Sequence, residues 1–91
     1  MEQKRAVISV VGKDQVGIIA KVTTVLANNH LNVLDISQTI LQDFFTMMMI
    51  VDLQEASDLV QLQADLDQVS EEMKLQIHMQ QEDIFQAMHR I

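Results

Sequence analysis

Hydrophobic and polar positions follow two periods along this chain, and their order predicts six elements. Two runs are apolar on both faces and two alternate apolar with polar residues, which is typical of strands buried on two faces and on one face respectively. The four predicted strands are 5–11, 31–41, 44–53 and 74–80. Between them, apolar residues recur at three- and four-residue spacing and predict two helices, which begin at Ile18 and Leu59.

The predicted order is β-α-β-β-α-β, which indicates an α+β fold of the ferredoxin-like (split βαβ) plait type. We expect a four-stranded antiparallel sheet with two helices on one face and a short C-terminal helical tail. Right-handed crossovers place the first and third strands at the centre, and these are the two runs that are apolar on both faces. The chain is predicted to be a single domain over residues 1–91, with the plait at about 4–80 and the tail at about 81–91.

Local signals predict where several elements begin and end. Ser57 or Asp58 is expected to cap the second helix, and Asn28-Asn29 to end the first, because asparagine tolerates a left-handed backbone. Gln42-Asp43 resembles a short hairpin turn, although it lacks the glycine that such turns favour. One face of the second strand is predicted to carry Leu34, Ile36, Gln38 and Ile40.

The third strand raises the question of what covers its second face. The helices cover one side of the sheet, yet both sets of alternate residues on this strand are apolar: Phe45, Met47, Met49 and Val51, and Phe44, Met48 and Ile50. An apolar surface of that size marks an interaction site on most monomers. We expect dimerisation, with the tail taking part; the alternative is that the tail folds back through Phe85 and Met88.

Composition and charge exclude several classes of function. The chain has 91 residues, a net charge of −7 and no cysteine, so disulfides, thiolate zinc sites and cysteine nucleophiles are excluded. Residues 52–91 carry the whole negative charge, and no basic run is present to attract nucleic acid or an anionic membrane. No apolar run approaches the roughly 18–20 residues that cross a bilayer, and no signal peptide is evident, so the expected location is the cytoplasm.

The loop from Gly12 to Gly17 is the one local feature with a chemical rationale. It contains both glycines of the chain and leads from a buried strand into a helix, whose first N–H groups attract an anion. Asp14 is the expected N-cap. A small zwitterion would suit the loop, with its carboxylate on the free N–H groups and its ammonium near Asp14. The alternative is that Asp14 only caps the helix and that Gly17 only makes room for packing.

The same residues resemble the ACT domain, a small regulatory module of amino-acid-metabolism enzymes and transcription regulators. The resemblance rests on Gly12-Lys13-Asp14-Gln15-Val16-Gly17-Ile18-Ile19-Ala20 and on Leu31-Asn32-Val33-Leu34-Asp35, and it extends through the strand order to Gln80. The tail is similar to that of small stand-alone bacterial and archaeal ACT proteins. The resemblance implies an effector site lined by Asp14, Gln15, Val16 and Gly17, with Asn32 contributed by the neighbouring subunit of a side-by-side dimer. Gln15-Val16 stands where the family often has Arg-Pro.

Other constellations are weaker. His78 and His89 are the only pair of histidines near carboxylates, and surface positions explain them better than a metal site. An acyl-phosphate hydrolase would need an arginine in the first loop, and RNA binding on the sheet would need exposed aromatic and basic residues. The sequence therefore predicts a non-enzymatic module without cofactor or metal, which binds a small amino acid as a homodimer and acts on an unidentified protein partner. The alternative is a structural oligomer whose effector loop is vestigial.

Overall fold

The computed structural model describes residues 5–54 and 58–81. Its six elements follow the predicted order and are β1 (Arg5–Lys13), α1 (Ile18–Asn28), β2 (Asn32–Leu41), β3 (Phe44–Asp52), α2 (Leu59–Met73) and β4 (Leu75–Gln81). The predicted tail beyond Gln81, with Phe85, Met88 and His89, lies outside the described residues, as does Ser57.

The four strands form one antiparallel sheet in the order β2-β3-β1-β4. The ferredoxin-like plait is therefore confirmed, with β1 and β3 at the centre as the two-faced apolar runs predicted. Both helices pack on one face of the sheet, where side chains such as Met47 and Leu62 are fully buried. Burial of a side chain of this size stabilises the fold by about 1.5–3 kcal/mol.

The two faces of β3 have different surroundings. Its residues on the helix side, including Phe45 and Met49, belong to the core. On the opposite side, which we call the open face, Phe44 is 63% exposed and Met48 is 52% exposed. The predicted second apolar face is thus present in the described part of the chain, and the identity of its cover stays a prediction.

The second strand departs from the predicted alternation at a β-bulge. The register shifts between Val33 and Asp35, so that Leu34 has no partner on β3. Val33 lies opposite the buried Val51, and Ile36 lies opposite the buried Met49. Leu34 therefore does not share the helix-side face as predicted, because the bulge gives its place to Val33.

The helix ends confirm one prediction and correct another. Asp58 caps α2, since its carboxylate accepts hydrogen bonds from the backbone N–H groups of Val60 at 3.0 Å and Gln61 at 3.1 Å. The chain does leave α1 at Asn29, but the left-handed residue is His30, with φ 63°. Asn29 is instead a buried amide that holds the end of the helix.

Candidate functional site

The loop that connects β1 to α1 is shorter than predicted. β1 continues through Lys13, so Gly12 belongs to the strand and lies between Phe45 of β3 and Leu75 of β4. A Cβ on Gly12 would lie 2.5 Å from the Cδ2 atom of Leu75 and 3.3 Å from its Cα atom. A side chain at position 12 would therefore displace Leu75 and press on the backbone of β4.

Gly17 has a different role from Gly12: it occupies the N-cap position of α1, so the prediction of Asp14 as the N-cap was wrong. Gly17 itself precedes the first helical residue, with φ 93° and ψ 3°, and no side chain caps α1. Asp14 was expected there, but its backbone N–H instead donates to the carbonyl oxygen of Asp43 at 2.7 Å and ties the loop to the β2–β3 turn. Apart from the adjacent chain, no heavy atom of the described residues lies within 4 Å of the position that a Cβ of Gly17 would take. Packing therefore does not explain this glycine, whereas its positive φ does.

The two helices of this chain thus begin in opposite ways. The carboxylate of Asp58 satisfies the first turn of α2, whereas α1 begins with no side-chain acceptor and no acidic residue in its first turn. The free N–H groups and the helix dipole give that end of α1 a partial positive charge. An anionic group from outside the chain would complete it.

A cavity of about 470 Å³, open to solvent, lies over this end of α1. Its volume is within the range of small-molecule sites. The lining combines the loop, the first turn of α1, and the end of β2 with the neighbouring β3: Asp14, Gln15, Gly17, Ile18, Ile19, Ala20, Gln38, Ile40 and Phe45.

The lining combines one acidic side chain, one amide from the edge strand and an apolar wall. Asp14 is the one charged side chain among the lining residues, and it is exposed. Gln38 offers an amide from the edge strand, while Ile40 and Phe45 provide an apolar surface. A ligand with a carboxylate and an ammonium would find a partner for each, at α1 and at Asp14.

The amide of Gln15 is already engaged within the chain. Its Nε2 donates to the carbonyl oxygen of Met73 at 2.8 Å and to that of Lys13 at 3.3 Å. Met73 is the last residue of α2, so Gln15 connects the loop to the second helix. The side chain lines the cavity and at the same time fixes the conformation of the loop.

Two of the predicted site residues do not line the cavity. Val16 is 99% exposed at the tip of the loop. Asn32 lies level with Arg5 in the sheet, whereas the cavity lies level with Gly12 and Ile40. Seven residues of strand separate these levels, which is about 23 Å at roughly 3.3 Å per residue. The chain's own Asn32 therefore cannot reach its own loop.

An apolar strip continues from the cavity along the edge of the fold. On the helix side of β2, Ile36 is 44% exposed and Ile40 is 52% exposed, although α1 contacts this strand. Ile19 of α1 borders the same strip and is 39% exposed. β2 is also an edge strand, so one row of its backbone N–H and C=O groups has no partner in this sheet.

A second cavity, of about 570 Å³, lies between the two helices. Two polar contacts join the helices here: Lys21 Nζ lies 3.7 Å from Glu72 Oε2, and Asn29 Nδ2 donates to Asp65 Oδ2 at 3.0 Å. The Asn29 hydrogen bond, followed by one from Gln61, holds the pKa of Asp65 below its ordinary value. The Lys21–Glu72 ion pair and the Asn29–Asp65 hydrogen bond connect the end regions of α1 to α2. The residues that the structure describes contain no cluster of three His, Asp or Glu side chains placed to hold a metal ion.

The floor and the far wall of the first cavity were not predicted from the sequence. Gln38, Ile40 and Phe45 are distant from the loop along the chain, and only the register of β2 on β3 brings them beside it. One signal was available: Ile36 and Ile40 are isoleucines on a strand predicted to lie at the edge, where the helices end. Large apolar side chains at such positions are typical of a surface that contacts another molecule.

Comparison with known proteins identifies the family. The ACT domain profile matches residues 4–80. The UPF0237 protein MJ1558 of Methanocaldococcus jannaschii is 48% identical over 88 residues, which are 96% of this chain and 98% of the relative. An ACT domain protein from Streptococcus pneumoniae has a solved structure that is 38% identical, with a TM-score of 0.79 over 92% of this chain and 96% of the other.

The fold class is thus the ferredoxin-like plait, and the chain belongs to the ACT domain family. A more distant neighbour is the regulatory subunit of aspartate kinase from Thermus thermophilus, 24% identical with a TM-score of 0.67 over 87% of this chain and 55% of the other, which shows the shared fold. No helix among the described residues is long and apolar enough to span a membrane.

Proposed function

We propose that this protein is a non-enzymatic regulatory module that binds a small amino acid and acts as a homodimer. The observation that carries the proposal is the open first turn of α1, which faces a cavity of about 470 Å³, in a chain that caps its other helix with Asp58. An anion at that position supplies the missing acceptor.

The lining indicates how the amino acid would lie. Its carboxylate accepts hydrogen bonds from the first N–H groups of α1, and its ammonium faces the carboxylate of Asp14. Its side chain lies against Ile40 and Phe45, which favours a small apolar residue over a charged one. Gly17 allows the close approach, because no Cβ stands between the ligand and the helix.

The edge of β2 supports a side-by-side homodimer. A second copy that adds its own β2 antiparallel to this one pairs the free backbone groups and covers Ile36 and Ile40. In such a pair the start of one β2 lies beside the end of the other. The start of the partner subunit's β2 then comes to the end of β2 that carries Ile40 and the cavity. The partner subunit's Asn32 lies at this end on the open face of the sheet, because Asn32 pairs with Asp52.

A two-subunit site explains how a ligand would regulate. Each ligand would contact the loop of one subunit and lie beside the start of the partner subunit's β2, so binding and subunit contact are linked reciprocally. An unidentified protein partner would respond to the liganded form. Catalysis finds little support, because Asp14 is the one titratable side chain among the cavity's lining residues and reactions require several converging groups.

Isothermal titration with the twenty amino acids tests this proposal. We expect one small apolar amino acid to bind and to raise the melting temperature, since a ligand at 100 times its Kd stabilises the folded state by about 2.7 kcal/mol. Asp14→Asn should weaken this binding at least tenfold and leave the fold intact. The matched control is Glu71→Gln, an exposed carboxylate on α2.

Two outcomes would contradict the proposal. A flat response to all twenty amino acids at millimolar concentration would favour the alternative, a structural oligomer whose loop is vestigial. Equal affinities for Asp14→Asn and Glu71→Gln would place the ligand elsewhere on the molecule. Asn32→Ala tests separately whether this residue contributes to the site across the dimer: if it does, its mixed dimer with an Asp14→Asn chain retains one of the two sites.

A further inference from the structure

We propose that Gln15 couples the first cavity, over the start of α1, to the junction between α2 and β4, so that a ligand held by Gln15 strengthens the end of α2. The junction consists of Met73, Lys74 and Leu75. Gln15 is a positioning residue, because its amide contacts the junction while its side chain lines the cavity. The step that involves a ligand rests on the proposed function, whereas the coupling within the chain is tested without a ligand.

The junction converts a helix into a strand with a single residue between them. α2 ends at Met73 and β4 begins at Leu75. Lys74 lies between them in the left-handed region, with φ 55° and ψ 49°. A residue other than glycine, asparagine or aspartate seldom adopts this backbone, so contacts with the surrounding structure must hold it there.

Hydrogen bonds from three residues hold the junction. The backbone N–H of Lys74 donates to the carbonyl oxygen of Ser70, and the Ser70 hydroxyl donates to the carbonyl oxygen of Leu75. The carbonyl of Met73 is among the last four of α2, which have no acceptor role within a helix. Gln15 fills that role, since its Nε2 donates to the Met73 oxygen at 2.8 Å. The end of α2 is therefore completed by a residue 58 positions away in the sequence.

The orientation of the Gln15 amide follows from its partners. Its nitrogen faces two carbonyl oxygens, that of Met73 and that of Lys13 at 3.3 Å. An amide oxygen in the same place would be repelled, so the NH2 group must face the junction. Both of its hydrogens are then engaged, and Oε1 is the amide atom left for a ligand. Because Oε1 only accepts hydrogen bonds, it suits an ammonium and not a carboxylate.

A ligand ammonium on Oε1 would strengthen the contact at the other side of the amide. Hydrogen bonds that share one amide polarise each other, so accepting at Oε1 makes the N–H groups better donors to Met73. The side chain of Gln15 is otherwise exposed, and a bound ligand would also restrict its rotation. Ligand binding and an ordered junction therefore favour each other, and the linkage is reciprocal.

Gln15 is the connection that the structure offers between the cavity and the junction. Met73, Lys74 and Leu75 do not line the cavity, so a ligand there would act on them from a distance. In the described part of the chain, Gln15 is the one lining residue that donates a hydrogen bond to the junction. The backbone N–H of Asp14 fixes the loop on its other side, at the β2–β3 turn.

Hydrogen exchange of the full chain, followed by NMR without ligand, tests the coupling. Gln15→Ala should speed exchange of the Lys74 amide about fivefold, the effect of one ordinary hydrogen bond, and change the Val60 and Gln61 amides less than about twofold. These two amides report on the opposite end of α2, which Asp58 caps. They therefore separate a local effect from a general loss of stability.

The matched control is Gln68→Ala, which removes another exposed glutamine and should leave Lys74 exchange unchanged. Ser70→Ala tests the reverse direction, because Ser70 contacts the junction and does not line the cavity. It should speed exchange of the Asp14 amide in the wild-type background and not in Gln15→Ala. Independent structural effects would add instead. Equal Lys74 exchange in Gln15→Ala and wild type, or an additive double variant, would overturn the coupling.

The ligand step uses a mixture of glycine, alanine, valine, leucine and isoleucine, each at millimolar concentration. The mixture should slow exchange of the Lys74 amide more than that of Val60 in the wild type. Gln15→Glu keeps the shape of the side chain but has no N–H to donate, so its Lys74 exchange should not respond. A mixture that raises the melting temperature without slowing Lys74 exchange would overturn the ligand step and leave the proposed function standing. A mixture that leaves the melting temperature unchanged would contradict the proposed function, and the ligand-free measurements would still decide the coupling.

Discussion

Gly17→Ala tests whether the conformation of the loop, and not its packing, requires a glycine. The backbone at Gly17 has φ 93°, in the left-handed region. A Cβ there would meet no other heavy atom of the described residues within 4 Å, so steric repulsion from the rest of the fold contributes nothing. The cost is the backbone term alone, about 1–2 kcal/mol. For a domain of this size, that lowers the melting temperature by about 4–16 °C.

Urea unfolding followed by circular dichroism measures this cost. We expect the midpoint to fall for Gly17→Ala while the m-value is unchanged, since the same surface is exposed on unfolding. Gly17→Asn is the comparison, and it should cost less than Gly17→Ala because asparagine adopts the left-handed backbone more readily. Equal costs for the two variants, or a cost for Gly17→Ala below about 0.5 kcal/mol, would refute the conformational argument.

Three further predictions concern stability. Gly12→Ala should destabilise the fold by about 1–3 kcal/mol in the same urea assay, because its Cβ overlaps the buried Leu75; a neutral result would mean that β4 moves freely. Asp58→Ala should cost about 1 kcal/mol through loss of the α2 cap, and an unchanged urea midpoint would contradict the cap's role. The hydrogen bond that Asn29 donates lowers the pKa of the Asp65 carboxyl. The stabilisation from this hydrogen bond is therefore present above pH 3.8, the ordinary pKa of Asp, and is lost as the pH falls below that value. Asp65→Asn should therefore flatten the fall in melting temperature below pH 4, and parallel pH profiles would exclude the contribution.

The architecture was predictable because burial leaves a periodic signal. β1 and β3 are apolar on both faces, and the structure places both at the centre of the sheet. The cap at Asp58 was predictable because a side chain with an acceptor directly precedes a periodic helix. In each case one local interaction dominates, so neighbouring residues suffice to infer it.

The details of the site were not predictable in the same way. Asp14 is a residue type that is favoured at the N-cap, yet its backbone N–H donates to the β2–β3 turn. The N-cap position is occupied by Gly17 instead. The bulge at Leu34 exchanges two side chains between the faces of β2 without any glycine or proline to announce it. Gln38 enters the cavity only through the strand register. These features depend on contacts between distant segments, which periodicity does not encode.

The conformation at the start of α1 bears on whether the loop is a site or a remnant. A structural oligomer would use the edge of β2 and the open face, and neither surface includes Gly17. Such a protein would gain about 1 kcal/mol from an ordinary Ser, Thr or Asp cap, as α2 has at Asp58. Instead α1 begins at a left-handed glycine with its first N–H groups uncapped above a cavity that Asp14 borders. The stabilisation that this chain lacks at α1 is of the kind that a bound carboxylate supplies, which favours the effector site over a vestigial loop.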